Sequence, residues 1–151
     1  MCFDSYEEKT IAQMISALQS ATIVFVHSHG TSGCITIGPT ASTYIHNYDL
    51  NSVNLSNILC IVLLTCNGGA YVYPPSYNMV QTMTNRGASC AVGFINTITV
   101  AGSNTYAQEF AYWTMSGTYN VSAAVTYLSS HSTSGIAQYA SVSGAGSTML
   151  N

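Results

Sequence analysis

An unbroken apolar run, Ile58 to Leu64, leads directly into Thr65, Cys66, Asn67, Gly68 and Gly69. Such a run, bounded by turn residues, predicts a central strand buried on both faces. Thr22–His27 is built the same way and ends in Ser28-His29-Gly30, while Ser89–Ile95 supplies a third apolar strand. Cys34–Gly38 alternates apolar and polar, Gly38-Pro39 turns the chain, and Thr43–His46 returns, which predicts a small hairpin. Ile136–Val142 is a candidate final strand and Gly144–Asn151 a polar tail.

Helical periodicity fills the intervals. Ile11, Met14, Ile15 and Leu18 recur at i, i+3, i+4 and i+7, one apolar stripe of a helix ending near Ser20. Ser5 with Glu8 has the pattern of a capping box ahead of it. Asp49–Asn57 spaces Leu50, Val53 and Leu55 as a short helix or loop leading to the central strand. Ser76 or Asn78 can cap a helix through Met79, Val80 and Met83 that stops at Gly87. Asn104–Met115 sets Tyr106, Phe110 and Trp113 on one face, and Val121, Ala124, Val125 and Leu128 form another stripe behind the capping Asn120. Strands alternating with helices predict an α/β fold with a mainly parallel sheet flanked by helices. No internal repeat or linker divides residues 1–151, so a single domain is expected.

Composition narrows the function. With 151 residues and 48% hydrophobic side chains, the chain can bury a real core. Charged residues are only 5%, against about 25% in ordinary domains. Lys9 and Arg86 are the only cations apart from four histidines, which excludes electrostatic nucleic-acid binding and a polybasic membrane patch. No run approaches the roughly 18 apolar residues of a membrane helix. The acidic start lacks the basic region of a signal peptide. The remaining surface of Ser, Thr, Asn, Gln and Tyr has little charge repulsion to separate copies. That composition weakly favours an extracellular, cell-surface or assembly-forming protein.

The five cysteines include no Cys-x-x-Cys pair and no disulfide framework. Cys60 and Cys90 fall inside apolar runs, as buried inert thiols do. Cys66 differs, because it stands where a strand ends in glycine-rich turn, and carboxyl ends of parallel strands are where ligands bind. A thiolate is the nucleophile of cysteine chemistry and needs a base beside it. Strands about 4.8 Å apart place His29 within reach if the two runs are neighbours. Gly30 permits close backbone approach, and Gly30 and Cys66 can supply N–H groups to an oxyanion. His27 shares the face of His29 on a strand, which suits a substrate-side or supporting group, together with Asn67 and Gly68. His27-x-His29 with Cys34 or Cys66 also offers zinc ligand types. No paired ligand motif exists elsewhere, so neither metal nor cofactor is assigned. His46 and His131 are read as surface residues and Asp49 as a cap.

Val24-Phe-Val-His-Ser-His29-Gly30-Thr31, then Asp49-Leu50 and Ile61-Val-Leu-Leu-Thr-Cys66-Asn-Gly-Gly69, then Gly87-Ala-Ser-Cys-Ala-Val-Gly93, resembles the caspase-like (clan CD) cysteine peptidases. The similarity is nearest to their CHAT domains and covers roughly residues 20–145. It implies a three-layer α/β sandwich whose usual first two strands have no counterpart ahead of the His strand. It also implies His29 as base and Cys66 as nucleophile in acyl-enzyme hydrolysis of a peptide or protein substrate. Arg86 is the only arginine, so a preference for acidic residues before the cleaved bond is not expected. The alternative is an inactive self-assembling, filament or surface protein on the same fold. The missing strands would leave a sheet edge to another copy or to more of a longer chain.

Overall fold

The computed structural model describes residues 10–38, 43–73 and 76–150. Thr10 opens helix α1 (Ile11–Ser20) by accepting from the Gln13 amide, while the Gln13 side chain accepts from the Thr10 N–H. The capping box read at Ser5–Glu8 lies outside the described residues. Strand β1 (Ile23–His27) follows, then the antiparallel hairpin β2 (Cys34–Thr36) and β3 (Tyr44–His46), then a 3-10 turn at Asn47–Leu50. Next come β4 (Cys60–Leu64), α2 (Met79–Asn85), β5 (Cys90–Phe94), α3 (Val100–Met115), α4 (Val121–His131), a 3-10 turn at Ala137–Tyr139 and β6 (Ala140–Gly144).

The main sheet has the order β1-β4-β5-β6. β1, β4 and β5 run parallel, and β6 joins β5 antiparallel. Every residue of β4 and β5 is buried, as their unbroken apolar runs demand. The pleat sends alternate side chains to two separate cores. Ile61 and Leu63 of β4 pack with α1, the hairpin and α2; Cys60, Val62 and Leu64 pack with α3 and α4. The result is a three-layer sandwich. Among the described residues β1 pairs only with β4, so its other edge is unpaired.

Cys60 and Cys90 are register partners, fully buried on the α3/α4 side. A hydrogen bond between the thiols, together with burial, pushes Cys60 far above the ordinary thiol range. It stays protonated, and neither sulfur can be reached from solvent.

Three element ends differ from the sequence reading. Helix α3 starts at Val100, not near Asn104, because Thr99 caps it through the Gly102 amide. The last strand begins at Ala140, because residues 137–139 turn first. The polar tail is built in: its carbonyls at Gly146 and Thr148 accept the free N–H groups of Ser122 and Val121 at the start of α4, and Leu150 is buried.

Glu109 of α3 fastens the segment after α4. Its carboxylate accepts from the Ser132 hydroxyl and from the Thr133 amide (3.0 Å) and hydroxyl (2.9 Å). Partial burial pushes the carboxyl up, but these hydrogen bonds outweigh it and hold the group below its ordinary value of 4.5. A carboxyl depressed in the folded state contributes stability above its unfolded value and loses it as pH falls through the folded one. The melting-temperature gap between wild type and Glu109→Gln should therefore be constant above pH 4.5 and close in more acid buffer. A gap that widens in acid would contradict this role.

Candidate active site

The parallel register pairs His27 with Leu64, and the ladder's last bond runs from Ser28 N to Leu64 O at 3.4 Å. Two residues further along each strand stand His29 and Cys66. Both segments thus leave the sheet at the carboxyl ends of adjacent parallel strands, past the last paired residues. The pleat that sends Phe25 and Leu64 toward α3 and α4 assigns His29 and Cys66 to that same side.

His29 is exposed and Cys66 half-buried. No hydrogen bond joins them. The Cys66 sulfur instead lies 3.5 Å from the Ile98 amide and 3.7 Å from the Ile98 carbonyl oxygen, on the loop after β5. Catalytic contacts are often loose before substrate binds. Sequence reading assigned nothing to residues 96–99; their one signal was position, at the carboxyl end of the strand beside the Cys strand.

The hydrogen-bond pattern sets the direction of two backbone amides at these strand ends. Gly30 bridges Ile35 in an antiparallel pair whose bonds belong to its neighbours, Thr31 N to Cys34 O and Thr36 N to His29 O, both 2.9 Å. The Gly30 N–H therefore points away from β2, toward β4. On β4, the even-numbered amides face β1, and that of Cys66 comes after the ladder has ended. Among the described residues neither amide has a hydrogen-bond acceptor.

Glycine makes this junction possible. A Cβ on Gly30 would lie 2.9 Å from Cys34 O and 3.0 Å from the Thr65 Cβ. A Cβ on Gly68 would lie 2.7 Å from Thr65 Oγ1. Thr65, one residue before the cysteine, is thus the wedge against which both loops pack, and its hydroxyl is buried without a partner. Asn67 has φ +58, the left-handed conformation that asparagine tolerates. Its amide donates to Asn96 O at 3.1 Å, and its carbonyl closes the turn by accepting from Ala70 N. Gly68 O accepts from Val80 N, tying the turn to α2.

Of the other candidates, His27 is exposed at the end of β1, and Cys34 shares a 3.3 Å hydrogen bond with Thr31. His46 stacks on Tyr48 and His131 on Tyr127. Asp49 accepts from the His46 amide, as a cap does. Among the described residues no three His, Cys, Asp or Glu side chains gather into a metal-binding group.

No family model matches the sequence, and no curated protein matches it. The structure does have a counterpart. It is similar to the crystal structure of the Arg specific cysteine proteinase gingipain R, with TM-score 0.68 and 13% sequence identity. The match covers 99% of this chain and 38% of that one. The fold is caspase-like. At that identity the likeness concerns architecture, and this chain spans well under half the length of the proteinase.

Gly30→Ala should destabilise the protein by about 1–3 kcal/mol, the usual cost of forcing atoms into a packed site. Gly33→Ala, three residues along, meets nothing within 4 Å and should change stability by less than about 0.5 kcal/mol. Denaturant titration of both variants checks the pair. Equal effects would contradict the tight junction at Gly30.

Proposed function

We propose that the chain is a cysteine peptidase of the caspase-like type, nearest to the CHAT group, acting through Cys66 and His29. The observation that supports this best is that β1 and β4, adjacent and parallel, lead at their carboxyl ends into the segments that carry His29 and Cys66. In the reaction, His29 takes the Cys66 proton and the thiolate attacks the scissile carbonyl carbon. The N–H groups of Gly30 and Cys66 stabilise the resulting oxyanion. When the C–N bond breaks, His29 returns the proton to the leaving amine. Water, deprotonated by His29, then attacks the thioester, releasing the carboxylic acid and restoring the thiol. His27, Asn67 and Gly68 flank the reacting groups and serve substrate positioning. The described ionisable groups include nothing at this site that would select for arginine, so the specificity named for gingipain R does not transfer.

Cys66→Ala should reduce hydrolysis of a fluorogenic peptide library to background while costing only about 1 kcal/mol of stability, since one sulfur at a strand end is removed. Turnover retained by a folded Cys66→Ala protein would move the nucleophile elsewhere.

One observation favours a second reading, self-association. The outer edge of β1 presents unpaired backbone groups at Ile23, Phe25 and His27, and among the described residues neither charge nor proline protects it. With so few charges in the chain, a second copy meets little repulsion. Sedimentation velocity across a concentration series should show dimers or larger species, and His27→Lys, at an exposed residue of that edge, should abolish them. A concentration-independent monomer would remove this reading.

A further inference from the structure

The loops that frame Cys66 carry an unusual surface. Gly69 N donates to Phe94 O and Asn78 Nδ2 to Ala70 O, so residues 70–73 and 76–78 stand next to the cysteine turn. Met79 N donates to Ser32 O, which returns that loop to the segment after His29. The loop therefore rims the gap between the two strand tips. It holds Tyr71 and Tyr73, 77% and 83% exposed, packed edge to face with ring centres 5.6 Å apart. The opposite rim follows β5, where Ile98 touches the Cys66 sulfur and Ile95 and Val100 are exposed at 52% and 64%. Large apolar side chains left this open, on loops at the same end of the sheet, mark a binding surface.

Among the described residues, the loops at this end of the sheet (28–33, 65–73, 76–78, 95–99 and 132–139) contain no Asp, Glu, Lys or Arg. Of the described charged side chains, Asp49 is held on the His46 amide and Arg86 on Asn51 at 2.6 and 2.8 Å, while Glu109 reaches the 132–139 loop and is occupied there by Ser132 and Thr133. A site that selects a charged residue needs a fixed opposite charge, because a buried unpaired ion is costly. One that selects an aromatic residue needs exposed rings and aliphatic groups, which form offset or edge-to-face contacts.

We propose that the Cys66 site takes peptides whose acyl-side residue is uncharged and aromatic or large aliphatic, with Tyr71 and Tyr73 as its specificity determinants. This rests on the peptidase reading above. The ligand is an extended peptide, held at its carbonyl by the two amides and at its side chain by the tyrosine rim.

The test uses peptidyl acyloxymethyl ketones that differ only in the residue before the electrophile: Phe, Tyr, Leu, Asp, Arg or Lys. Adduct formation at Cys66 is followed by intact mass and peptide mapping, in wild type and in the Tyr71→Ala/Tyr73→Ala double variant. Both tyrosines are exposed, so the variant keeps its fold. The Phe, Tyr and Leu probes should label Cys66 at least roughly tenfold faster than the charged ones, in line with ring-contact energies. In the double variant the advantage of Phe and Tyr over Leu should disappear. Fastest labelling by an Asp, Arg or Lys probe would overturn the substrate class while leaving Cys66 as nucleophile. Equal rates for all six would do the same. No labelling by any peptidyl probe, with iodoacetamide still modifying Cys66, would overturn the peptidase reading together with this one.

Discussion

The parallel register of β1 against β4 is the constraint on which the site depends. It is fixed by hydrogen bonds at the strand centres, far from the chemistry, and by the pleat that divides β4 between two cores. A slip of one residue would send Leu63 and Leu64 to the wrong sides of the sheet, an error that burial on both faces does not tolerate. That register brings the segments holding His29 and Cys66 out at the same end of the sheet. The hairpin β2–β3 then fixes the direction of the Gly30 amide by occupying the other side of that short segment.

Glycine and threonine do the local work at the strand tips. Gly30 and Gly68 close on Thr65 from two loops, and the left-handed turn at Asn67 carries the backbone away before another side chain can fill the gap. The Thr65 hydroxyl is buried there without a partner, one of three such side-chain atoms among the described residues, the others being Arg86 Nε and Tyr106 OH.

Much of this was legible in the sequence. Strands β1, β4 and β5 show as apolar runs because strands of a parallel sheet are covered on both faces. That the two runs ending in His-Gly and Thr-Cys are neighbouring parallel strands was legible from their like build. The start of α3 was not legible, because Val100, Ala101, Gly102 and Ser103 make no stripe and the cap at Thr99 decides the matter. The role of the tail was hidden as well: Gly146 and Thr148 act through carbonyl groups, which composition does not reveal. The loop holding Ile98 gave no signal of its own, since its contact with the Cys66 sulfur is made by backbone atoms.

The central claim is that His29 acts on Cys66 across the gap between two strand tips. The most direct test is the rate at which iodoacetamide alkylates Cys66 at pH 7, measured in the native protein, in the same chain unfolded in urea, and in His29→Ala. The account predicts native alkylation several-fold faster than unfolded, because a neighbouring base raises the thiolate fraction, and loss of that advantage in His29→Ala. A His29→Ala protein that stays folded and alkylates as fast as wild type would contradict it.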